Sequence, residues 1–148
     1  MPATQLNKPP TYGLQQAPVF DMGLVLPQTY GTTGMTTTQV SQDINTLNFK
    51  GITVILDVSS IGIASLTVAI EGKDYSNSGN YFTLLNSGAI TANGTTSHTL
   101  YPGIFQPGSQ PANGNSAVSS ILPVWLRVRV IHGNANPATY TVGGILTT

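Results

Sequence analysis

The chain has no cysteine among its 148 residues, which excludes a disulfide framework and a thiolate metal centre. Charge is almost as scarce. Five Lys and Arg stand against five Asp and Glu, 7% of all residues, where an ordinary soluble domain carries about 25%. Five scattered cations make no basic stripe, so nucleic acid is not expected as a partner. Long apolar runs are missing too. The longest, Ile52 to Val58, is interrupted by Thr53 and Asp57. It falls far short of the roughly 20 residues of a spanning helix, so no membrane is expected as a partner either.

Signatures of catalysis are equally thin. There is no Gly-x-Ser-x-Gly elbow, and Gly72-Lys73-Asp74 follows a strand pattern with no helix after it, unlike a phosphate-cradling loop. His98 and His132 have no carboxylate near them in sequence, and His98 reads as a polar residue on a sheet face. A glycosidase needs two carboxylates across a cleft. Asp57, Glu71 and Asp74 are the candidates, and Asp57 and Glu71 read more simply as surface partners of Lys73, Arg127 or Arg129. The loop from Lys73 to Asn77 offers one carboxylate, too few for a hard-metal site. No catalytic residue, cofactor or metal is expected.

What is present is apolar and β-rich. Hydrophobic residues make up 40% of the chain, enough for one core in one domain. Residues 1–43 differ from the rest: Pro2, Pro9, Pro10, Pro18 and Pro27, interleaved with Gly13, Gly23, Gly31 and Gly34, leave no room for a helix or a long strand. This reads as an extended N-terminal arm. Within it Val19, Phe20, Met22, Leu24, Val25 and Leu26 form an apolar patch. Exposed apolar clusters mark interfaces, so the arm is expected to order against a neighbour; the alternative is that it packs on its own domain.

Residues 44–148 read as an antiparallel β-sandwich or jelly-roll-like barrel of about eight strands. Asn45 to Lys50 alternates, with Leu47 and Phe49 on one face. Ile52 to Val58 is β-branched and reads as buried, and Leu66, Val68 and Ile70 show a period of two. Tyr81 to Leu85 should close a hairpin with that strand, and Asn93-Gly94 is a strong hairpin signal before Thr95 to Tyr101. Pro102 to Ser120 reads as one long loop. Val124 to Ile131 and Ala138 to Leu146 read as the last hairpin. In its first strand Trp125, Arg127 and Arg129 face away from Leu126, Val128 and Val130. Trp and Arg are enriched in interface hot spots, so these three join the arm residues as candidate partner-binding positions. The alternative is an internal stack of arginine on an aromatic ring with a surface ion pair.

The runs FKGITVILDVSS, SLTVAIEGKD, NYFTLLNSGAIT, TLYPGI and LPVWLRVRVIHG followed by PATYTVGGIL resemble small all-β virion proteins of tailed bacteriophages. Among these the chain looks most like capsid decoration (cement) proteins, including those of thermophilic phages. The resemblance covers roughly residues 44–148 and lies in a strand-and-turn pattern, not in a catalytic motif. It implies a homotrimer on the outer surface of the capsid that ties adjacent subunits of the major capsid protein together through its arm. A tail or head–tail connector protein would suit the same texture. So would a carbohydrate-binding module built around Trp125, which would be a function of a different class.

Overall fold

The computed structural model describes residues 34–74, 79–104 and 115–148, together with the backbone of residues 19–21. The described residues form ten strands and no helix: β1 (Val19–Asp21), β2 (Gln39–Val40), β3 (Ile44–Asn45), β4 (Gly51–Ser60), β5 (Leu66–Lys73), β6 (Tyr81–Asn86), β7 (Gly94–Leu100), β8 (Ser116–Val118), β9 (Trp125–His132) and β10 (Thr139–Thr147). One sheet runs β1-β10-β4-β7-β8 and the other β2-β9-β5-β6, with β3 also on β9. All pairings between named strands are antiparallel except β7 with β8. The architecture is the two-sheet sandwich that the alternation predicts.

Alternation explains the core directly. Successive side chains in a strand point to opposite faces, so Ile52, Val54, Leu56 and Val58 of β4 face Leu66, Val68 and Ile70 of β5 and Leu126, Val128 and Val130 of β9. All ten are buried, most of them completely. Burying one such aliphatic side chain stabilises the fold by about 1.5–3 kcal/mol.

Connectivity departs from the sequence reading. β9 pairs with β2, β3 and β5, whereas β10 pairs with β4 and β1, so the segment after His132 arches from one sheet to the other and closes no hairpin. Asn93-Gly94 likewise opens β7 on β4, while the preceding β6 lies in the opposite sheet. Local pattern tells which face of a strand is apolar but not which sheet the strand joins. The expected β5–β6 hairpin is present, with a register shift between Ile70 and Glu71.

Three local readings also change. The alternation of Asn45 to Lys50 stops after β3: Asn48 takes a positive φ of 76° and Phe49 N–H donates to Thr46 O, which turns the chain and leaves Leu47 exposed. The loop from Pro102 to Ser120 contains β8, a short strand without alternation of its own that is held parallel to β7. His98 lies in the core and is fully buried.

The paired body reaches back past residue 44. Met35 bridges Ala138, Gln39 and Val40 pair with Val130 and Arg129, and Ser41 N–H donates to Val128 O at 2.9 Å. Upstream, the three residues of β1 pair with Ile145, Gly144 and Gly143 of the same chain, so to that extent the arm lies on its own body.

Candidate functional site

On the outer face of the second sheet, β5, β6 and β9 bring a chain of charges together. β9 presents Arg127 and Arg129 outward because Leu126, Val128 and Val130 face the core. Glu71 of β5 stands directly across from Arg127, and Arg129 lies two pairs further along, opposite Ala69 and on the same face. Arg127 Nε donates to Glu71 Oε2 at 2.6 Å and Arg129 Nη1 to Glu71 Oε1 at 2.8 Å. One carboxylate, only 7% exposed at its side chain, therefore serves two guanidinium groups that are 26% and 31% exposed. Burial alone would raise the Glu71 pKa, but the bonds from Arg129 and Arg127 outweigh it and hold the carboxyl below its ordinary value.

A second pair extends the cluster. Lys73 and Tyr81 face each other across β5 and β6, and both donate to Asp43: Lys73 Nζ at 2.6 Å and Tyr81 Oη at 2.5 Å. The Lys73 bond is the main reason the Asp43 carboxyl titrates below the usual range. The Arg127 guanidinium lies 3.5 Å from the centre of the Tyr81 ring and links the two halves. Of the two sequence alternatives for Arg127, the internal stack and ion pair are therefore present, with Tyr81 rather than Trp125 as the ring. Trp125 pairs with Asn45 and is half-buried. No sequence signal joins Asp43 and Tyr81 to Lys73 in this cluster, because only the β5–β6 register and the segment after β2 bring them together.

The cluster ties charges to each other. It contains three cations and two carboxylates, and Arg129 Nε is buried without a hydrogen-bond partner among the described residues. Asp57 does not approach Glu71. It lies on the outer face of the first sheet, where it accepts a hydrogen bond from Thr95 Oγ1 at 2.9 Å, with the thickness of the sandwich between them. Among the described residues, no three His, Asp or Glu side chains gather as a metal site would require.

A different surface forms at the end of the sandwich where β9 begins. Leu47, Phe82, Ile121 and Val124 are all exposed there, from 43% to 81%. Thr46 N–H donates to Val124 O at 2.9 Å and its hydroxyl to Pro123 O, which sets Leu47 beside the segment leading into β9. Phe82 and Pro123 meet over Gly72, whose missing side chain leaves room for both: a Cβ there would lie 2.7 Å from Phe82 Cζ and 2.9 Å from Pro123 Cγ.

Of the arm residues singled out in the sequence, Val19 and Phe20 lie in β1, described as backbone. Met22, Leu24, Val25 and Leu26 lie outside the described residues. No family model, curated protein or solved structure matches this chain.

Proposed function

We propose that the protein is a structural component of a tailed-phage virion, a decoration protein that binds the outside of the capsid and clamps neighbouring subunits of the major capsid protein. The observation that carries this reading is the exposed apolar end of the sandwich, Leu47, Phe82, Ile121 and Val124, on a body poor in charge where Lys73, Arg127 and Arg129 are bound to Asp43 and Glu71. A surface poor in free charge and rich in exposed aliphatic and aromatic groups favours permanent cover by a neighbour. The apolar residues Met22 and Leu24 to Leu26 add a second adhesive segment. Through a trimer, several weak attachments would act together, because each bound arm raises the local concentration of the next.

Co-sedimentation with expanded capsids that lack their decoration protein tests the reading. The full chain should pellet with capsids, and Phe82→Ser or Val124→Ser should weaken that association without unfolding the sandwich. Undiminished binding by the doubly substituted chain would remove the apolar end from the account. Electron microscopy that places the protein at the tail or the portal would replace decoration by the connector reading.

A further inference from the structure

The strands that end the two sheets are unequal. β1, β8 and β2 have three, three and two residues, whereas β6, Tyr81–Asn86, has six. A short end strand offers little backbone for another chain to pair with, and a longer one is usually guarded by charge or proline. The β6 sequence YFTLLN has neither. It pairs with β5 on one side, and among the described residues no backbone group pairs with it on the other.

The phase of the pairing tells which groups face outwards. Asp74 N–H donates to Asn80 O at 2.7 Å, so Asn80 and, two residues on, Phe82 turn their backbone groups towards β5. Tyr81 and Thr83 alternate with them and present their N–H and C=O groups to the open side. The register shift leaves Leu84 as the extra residue, so the regular receptor runs from Tyr81 to Thr83.

The side chains on the two faces of this edge restrict what can lie there. Phe82 is half-exposed and meets Pro123 over Gly72, so a residue across from it lands on apolar surface. Tyr81 and Thr83 lie on the other face, across from Lys73 and Glu71. Around them Lys73, Arg127 and Arg129 stand against Asp43 and Glu71, and Glu71 is the most deeply buried of the five. The charge that reaches solvent there is mainly positive, and cross-strand neighbours of opposite sign attract. No stretch of this chain has two acidic residues two positions apart, so a second copy does not supply a matching strand.

We infer that the β6 edge is a strand-addition site for a partner of different sequence: an extended segment with an apolar residue opposite Phe82 and acidic residues opposite Tyr81 and Thr83. Backbone hydrogen bonds hold the segment, and the alternation of apolar and acidic positions selects it. The inference stands apart from the virion reading, because its receptor is a backbone edge and its probe is a peptide.

The test titrates the full chain with the acetylated and amidated heptapeptide Ser-Thr-Glu-Val-Glu-Thr-Ser and follows amide exchange by NMR. At a peptide concentration about four times Kd, exchange at the Tyr81 and Thr83 amides should slow about fivefold. N-methylation of both glutamates removes the N–H groups that would meet β6 in an antiparallel pair, and should abolish this protection. Replacing both glutamates by lysine should weaken binding at least about threefold. Equal protection by either control peptide, or no slowing at Tyr81 and Thr83 up to about 20 mM of the glutamate peptide, overturns the inference. If these two amides are already protected in the peptide-free chain, the edge is filled by the chain or its copies, and the inference falls as well.

Discussion

His98 is the residue whose environment differs most from its sequence reading. It is fully buried, with Nδ1 2.8 Å from Ser116 Oγ and Nε2 3.0 Å from Thr96 Oγ1. Burial lowers its pKa to about 4 from 6.5. The folded protein therefore keeps the ring neutral while the unfolded chain takes up a proton near pH 6.5. The resulting stability is fully present above pH 6.5 and is lost as pH falls towards 4, by up to about 3 kcal/mol. Urea unfolding at pH 7 and pH 4.5 should show this loss, and His98→Gln should show a smaller pH dependence. His132, also lowered by burial, adds in the same direction and remains in both proteins. Glu71 and Asp43 have depressed pKa values, so their contribution is present above the ordinary carboxylate range and is lost only at still lower pH. Glu71→Ala should destabilise the fold by about 2 kcal/mol, below the range for a fully buried pair because Arg127 and Arg129 keep partial access to water. Equilibrium unfolding of that variant at neutral pH measures it.

At the scale of elements, two positions decide how the apolar end is built. Gly72 lets Phe82 and Pro123 close over β5, and Gly72→Ala should cost about 1–3 kcal/mol through that overlap. Phe82→Leu in the same chain should recover part of the loss, because the nearest atom to the added carbon is Phe82 Cζ. Thermal melts of the single and double variants check this. Asn48 holds the turn between β3 and β4 with a left-handed backbone. Asn48→Gly should leave stability nearly unchanged, whereas Asn48→Val should lower it by roughly 1–2 kcal/mol. The same turn is why the alternation of Leu47 and Phe49 did not become a strand: period-two patterning is a weak constraint where one residue can leave the β region.

For the whole molecule, the position of the body's start separates two truncations. Removing residues 1–33 leaves β2, the Ser41 bonds to Val128 and the Asp43 bonds to Lys73 and Tyr81 in place. That truncated chain should fold and melt close to the full-length protein. Removing residues 1–43 strips β2 from β9, unpairs Lys73 and leaves the buried Val128 N–H without its Ser41 partner, so it should melt well below the shorter truncation. Differential scanning calorimetry of both chains distinguishes a body that begins near Gly34 from one that begins at Ile44.

The class of fold was legible because faces are encoded locally. Leu66, Val68 and Ile70, or Leu126, Val128 and Val130, alternate with polar neighbours, and only a sheet with one buried side satisfies that period. Trp125, Arg127 and Arg129 were placed on the outward face by the same rule. What alternation does not contain is the identity of the partner strand. That β9 and β10 lie in opposite sheets, that Glu71 meets both arginines while Asp57 lies across the sandwich, and that Tyr81 and Asp43 complete the charged cluster all follow from register between strands distant in sequence. His98 is the limiting case. Its polarity marks it for a surface, but Thr96 and Ser116 provide hydrogen bonds in the interior, and a buried polar group is tolerated wherever its bonds are met.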